Sequence, residues 1–192
     1  MKLSRPNALG VFTSLVLASS ACATATAVPM SAVQVFDEDS CSGAPLQVVF
    51  SPAADCSTLR PDTNCSLESQ EQGLFASGNC TDDPRKFAAS AFGDSPYVLV
   101  KLYTPDTNCE TLEGISAYRV DNGCHPTIAA GTSFQADWSD TTPSLKLFAD
   151  ESCTSSPVFQ LELSIDSSEC IGGSMKLRVN ADLSSSSTGS AN

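Results

Sequence analysis

Eight cysteines constrain this chain more than any other feature. They form four pairs, Cys41 and Cys56, Cys65 and Cys80, Cys109 and Cys124, Cys153 and Cys170, separated by 15, 15, 15 and 17 residues. The stretch PDTNC occurs twice, at residues 61–65 and 105–109, and segments 59–80 and 102–124 align around it. The outer copies match each other instead: VFDEDSCSGAPLQVVF (35–50) aligns with LFADESCTSSPVFQLEL (147–163), Phe36 with Phe148, Cys41 with Cys153 and Pro45 with Pro157. The chain therefore reads as one unit used four times. Each unit is a strand, an acidic turn carrying a Cys, a second strand, and a second Cys near Gly or Asn.

The strands follow from alternation and from β-branched or aromatic content. Segments 33–36, 98–103 and 145–148 read as first strands, and 46–50, 115–120 and 158–163 as second strands. Further strands are expected at 133–138 and 175–179, for nine to eleven in all. Only 83–91 (DPRKFAASA) reads as a short helix. The fold class is all-β: a disulfide-stabilised antiparallel sandwich or stacked small sheets. Neighbouring cysteines are poor bridge partners, because a strand between them would separate their Cα atoms by about 15 Å where bridged pairs lie within roughly 7 Å. The spacing leaves the connectivity open.

The N-terminus opens with Lys2 and Arg5, an apolar run over 8–18 and a small-residue zone, the pattern of a secretory signal peptide over 1–27. Ser19 stands where a bacterial lipoprotein box wants Leu, so Cys22 is expected to leave with the leader. Export and eight remaining cysteines imply four disulfides. Residues 28–183 form the disulfide-rich domain, with two similar halves meeting near 85–95 as an option, and 184–192 (SSSSTGSAN) a disordered Ser-rich tail. No later segment has the roughly 20 consecutive apolar residues of a membrane helix.

The net charge is −12, and loss of Lys2 and Arg5 with the leader takes it to −14. Such a chain is repelled by phosphates and anionic lipids, which argues against nucleic-acid or membrane partners. Neither short Cys-x-x-Cys knuckles nor more than one histidine is present, so zinc and other cofactors are not expected. Asp37, Glu38 and Asp39, with Asp150 and Glu151 in the matching copy, lack the order of a helix-loop-helix calcium site and read as solvated turns. The lone His125 lies in a turn, no G-x-S-x-G elbow surrounds any serine, and no catalytic residue is assigned. Asp137 and Asp140 flank Trp138 in FQADWSDTTP, an arrangement suited to stacking a sugar ring and hydrogen-bonding its hydroxyls. In PDTNC, Asp62 and Asp106 are expected to accept hydrogen bonds from turn amides. Two N-x-[ST] sequons occur, at Asn64 and Asn79, each with a bridge-forming Cys in the middle, which argues against a glycan.

The pattern [FY]-x-x-D/E-x-C between strands, with AFGDSPYV (91–98) and NGCHP (122–126), resembles a set of secreted cysteine-rich repeat proteins of oomycetes. Similar modules form ectodomains of oomycete tyrosine-kinase-like receptor kinases. The resemblance covers nearly all of residues 28–183 and implies a free, extracellular version of such a module, with no catalytic residue to carry over. The reading is a secreted non-enzymatic binding or structural protein of the cell surface, wall or apoplast, with an effector-like role open to it. Its partner would be an extracellular protein or wall polysaccharide. The alternatives are a secreted protease inhibitor, presenting one braced loop, and a carboxylate-type glycoside hydrolase.

Overall fold

A computed structural model describes residues 28–53, 56, 64–139, 142–162 and 170–179. The leader expected over 1–27 and the Ser-rich stretch 184–192 lie outside them. Eleven strands and one helix are described: β1 (Met30–Phe36), β2 (Gln47–Pro52), β3 (Ser66–Ser69), β4 (Leu74–Thr81), α1 (Pro84–Phe92), β5 (Tyr97–Tyr103), β6 (Leu112–Arg119), β7 (Cys124–Pro126), β8 (Ser133–Ser139), β9 (Thr142–Phe148), β10 (Phe159–Glu162) and β11 (Met175–Val179). They form a seven-stranded sheet in the order β11-β5-β6-β2-β1-β4-β3 and a four-stranded sheet in the order β10-β9-β8-β7. Every pairing is antiparallel. The all-β class holds, and strand 175–179 falls where alternation places it. Sequence reading did not anticipate β3, β4 or β7.

The large sheet is covered on both faces, and period-two alternation decides which residue goes where. Val98 and Val100 of β5, with Tyr118 of β6, meet Phe134, Ala136 and Leu145 of the small sheet. Their neighbours Tyr97, Leu99, Ile115 and Ala117 face the helix with Val48, Phe50, Ala88 and Phe92. The molecule thus has three layers: helix, large sheet, small sheet. Phe92 stacks on Tyr97 at 4.7 Å and Phe87 meets Phe50 edge-on at 5.7 Å. The helix starts where Asp83 accepts from the amides of Arg85 and Lys86, with Pro84 in the first turn, and stops at Gly93, whose φ is 56°. It lies in the region where two halves would meet, yet β2 pairs with β6 across it, so both flanking segments share one sheet.

The four disulfides are Cys41–Cys65, Cys56–Cys80, Cys109–Cys170 and Cys124–Cys153. None of the four pairs spaced by 15 or 17 residues is bridged, whereas Cys124 and Cys153, consecutive cysteines 29 residues apart, are. The register puts Cys41–Cys65 at the end of the large sheet where β1 leaves and β4 begins, with Cys56–Cys80 and Cys109–Cys170 at the opposite end. The connections β1–β2, β5–β6 and β9–β10 each place a cysteine in the left-handed region, Cys41 at φ 46°, Cys109 at 59° and Cys153 at 53°. In the second PDTNC, Asp106 (φ 64°) and Asn108 (φ 50°) are left-handed too. The capping expected of Asp106 is done by its neighbour: Thr107 donates its hydroxyl to the Thr104 carbonyl at 2.6 Å and accepts from the Thr111 amide at 3.4 Å. Asp62 lies outside the described residues.

Candidate functional site

Because Val48 and Phe50 turn toward the helix, Gln47 and Val49 of the same strand turn toward the small sheet. Register sets Gln47 beside Tyr118 and Val49 beside Ser116. Opposite them stand Leu147 and Phe148 of β9, and between the sheets opens a cleft of about 340 Å³. Its rim includes Ile128 and Thr132 of the β7–β8 turn and Val158, which is 69 % exposed. Burial pushes the Tyr118 phenol up, against hydrogen bonds with Ser116 and Gln47. The Gln47 side chain also accepts from the Ile128 amide at 3.5 Å. The cleft is therefore apolar with a fixed polar floor, a form suited to holding a small apolar group by its body and one hydrogen-bonding atom.

One side of this cleft borders a braced loop. Between β9 and β10, Asp150 accepts from the amides of Ser152 (2.8 Å), Thr154 (3.1 Å) and Ser155 (2.9 Å) and from the Ser155 hydroxyl. The Ser155 hydroxyl and amide, then the other amides, hold its carboxyl far below the usual carboxylate range. Those bonds occupy the oxygens a cation would need. The fully buried Ser133 donates its hydroxyl to the Asp150 carbonyl at 2.6 Å, and Cys153 ties the same loop to Cys124 of β7. Among the described residues no three of His, Cys, Asp and Glu gather as a metal site.

His125 has a structural partner. Its Nε2 lies 2.7 Å from Asp121 Oδ1, which also accepts from the Gly123 amide at 2.9 Å, while Asp121 Oδ2 accepts from Arg119 Nε at 2.8 Å. A Cβ on Gly123 would stand 2.7 Å from His125 Nε2, so only glycine lets the ring approach. Partial burial pushes the Asp121 carboxyl up, but the bonds from His125 and Gly123 and the charge of Arg119 outweigh it and hold the group low. With its ring 5.3 Å from Phe134, His125 closes the β6–β7 turn.

Trp138 and its flanking acids do not converge. Trp138 follows Phe134 and Ala136 on the inward face of β8 and packs on the inter-sheet core, its amide donating to Asn122 Oδ1 at 2.9 Å. Asp137 faces outward and pairs with Lys146 at 3.1 Å. Asp140 lies outside the described residues. Tyr97 and Tyr118 are core residues, and Tyr103 lies under Lys176, 5.5 Å from its centroid. Both sequon asparagines, Asn64 and Asn79, are exposed.

Sequence reasoning missed the inter-sheet cleft because its walls come from β2, β6 and β9, far apart in the chain. The opposed faces of Trp138 and Asp137 were available from alternation alone. No helix among the described residues is long and apolar enough to cross a membrane. Comparison with protein-family models, with curated proteins and with solved structures finds no match for this chain.

Proposed function

We propose that the protein is a secreted, non-enzymatic binding or structural protein of the cell surface, wall or apoplast. One observation carries the reading: the bridges pin connections at both ends of the large sheet and one loop of the small sheet, holding exposed segments rigid beside an apolar cleft. Rigid loops lose little conformational entropy on binding, which favours presentation of a fixed surface. The partner is an extracellular protein that inserts an apolar side chain into the cleft, or a wall polysaccharide. The test is retention of the bridged chain on wall polysaccharides and on secreted extracellular proteins, compared with Val49→Asp, which puts a charge in the cleft. Equal retention of the two forms removes the cleft from the reading, and no retention of either removes the binding reading.

A second reading, protease inhibition, rests on the β9–β10 loop, whose exposed residues are braced by Cys124–Cys153 and by Asp150. Assay against a small protease panel separates the two, since an inhibitor acting through this loop keeps its effect in Val49→Asp while a cleft binder loses its retention.

A further inference from the structure

Two sequons are present, and the objection to both is the cysteine between their recognised residues. At Asn79-Cys80-Thr81 the structure removes that objection. The three residues end β4, where Asn79 pairs with Ala32, Cys80 with Ser31 and Thr81 with Met30 of β1. Cross-strand partners share a face, and Met30 and Ala32 face the helix. Alternation therefore sends Asn79 and Thr81 to the helix side and Cys80 to the other, where it bridges to Cys56. Bridge and sequon amide occupy opposite faces of one strand. Among the described residues, β4 pairs on its β3 side only over residues 74–76.

The amide of Asn79 is available as well. Its Oδ1 accepts from the Cys80 backbone amide at 2.8 Å, and the residue is exposed. Beside it lies a cleft of about 320 Å³ between β1, β4 and the helix, walled by Phe36 and Phe87 and edged by Gln34, Ser77 and Ser90. An aromatic wall with hydroxyl and amide groups at its edge is the surface on which a sugar ring packs.

We propose that Asn79 is an N-glycosylation site, with the linking sugar leaving β4 over this cleft. The proposal rests on the export part of the functional reading. In the transfer, Nδ2 of Asn79 loses a proton to the transferase base and bonds to C1 of an oligosaccharide carried on a polyprenyl diphosphate. The C1–O bond to the diphosphate breaks, and the polyprenyl diphosphate leaves with the bonding pair. No oxidation or reduction is involved, so the transfer itself neither forms nor breaks the Cys56–Cys80 bridge.

The full chain with its own leader, secreted from eukaryotic cells, is mapped by mass spectrometry under non-reducing conditions before and after an N-glycan amidase. The expected result is residue 79 read as Asp after the amidase, in molecules that also hold Cys56–Cys80. Thr81→Ser should keep the glycan, while Thr81→Ala and Asn79→Gln should lose it with the same four bridges. Exported chain in which residue 79 is unmodified Asn overturns the proposal, as does a glycan confined to Asn64 or to molecules with Cys80 unpaired. A chain retained inside the cell with its leader uncut overturns the export reading too, and the uncut N-terminus tells that failure from the others.

Discussion

The cysteines of the two halves have nearly the same spacing and opposite connectivity. In the first half the bridges interleave, Cys41–Cys65 and Cys56–Cys80, each spanning 24 residues. In the second half they nest, Cys109–Cys170 spanning 61 residues around Cys124–Cys153, which spans 29. The cause is the route of the chain. Strands β1 to β4 stay in the large sheet, so equal steps along the sequence bring both pairs together. After β6 the chain leaves for the small sheet, builds β7 to β10, and returns as β11 beside β5. Cys109 and Cys170 close that excursion and the inner pair lies within it. Connectivity is thus set by the path between layers, and spacing alone carries no record of it.

The largest test of this contrast removes one bridge from each half. Loop-closure entropy predicts a loss of about 4 kcal/mol for the Cys109→Ala, Cys170→Ala pair and about 3 kcal/mol for the Cys41→Ala, Cys65→Ala pair, read from denaturant midpoints. A larger loss from the interleaved bridge would mean that strain or residual structure, not loop length, sets the difference.

The two matching turns differ as well. In the β1–β2 connection the Cys41 amide donates to the Glu38 carbonyl at 3.1 Å, the Leu46 amide donates to the Val35 carbonyl at 2.8 Å, and the Ser40 and Ser42 hydroxyls meet at 2.8 Å. The β9–β10 connection is organised by Asp150 and anchored by Ser133. Ser133→Ala leaves the partly buried Asp150 carbonyl without its donor and should cost about 1 kcal/mol by thermal or denaturant melting. Ser40→Ala, in the matching turn, should leave the midpoint unchanged.

Smaller again is the effect at Asp106. Its left-handed backbone, rather than its carboxylate, is what the β5–β6 turn uses, so Asp106→Gly should match or exceed the parent stability while Asp106→Ala loses about 1 kcal/mol. Equal losses in both would restore the side chain as the source.

The smallest effect is one of pH. The Asp150 carboxyl is held below its ordinary value of 3.8, so its contribution is complete above that pH and is lost as pH falls below it toward the lower folded value. Asp150→Asn should flatten the acid limb of the stability profile, read as denaturant midpoints against pH.

Local rules made much of this legible. The helix announced itself through Asp83-Pro84 and a stripe at Phe87, Ala88, Ala91 and Phe92. Strand β11 showed in Met175, Leu177 and Val179 around Lys176 and Arg178. Strand β4 did not, because Gly78 and Asn79 are weak strand formers, and it is held extended by pairing along all seven residues of β1. Strand β3 is short and mostly exposed. Trp138 was visible as a residue but not as a core residue, since its environment is supplied by the opposite sheet.

A ribosome delivers the chain from its N-terminus, and the nested bridge makes that order matter. Cys41 and Cys56 each meet a partner within 24 residues of appearing, so the first three-stranded portion, β1, β2 and β4, can be locked while the rest is still being made. Cys109 waits for 61 more residues, and β5 stays without its β11 neighbour for longer still. During that interval a reactive thiol and an open strand edge coexist at one end of the nascent sheet. Mispaired oxidation and intermolecular strand addition should therefore concentrate there, and production of this protein should respond to isomerase and chaperone capacity late in synthesis rather than early.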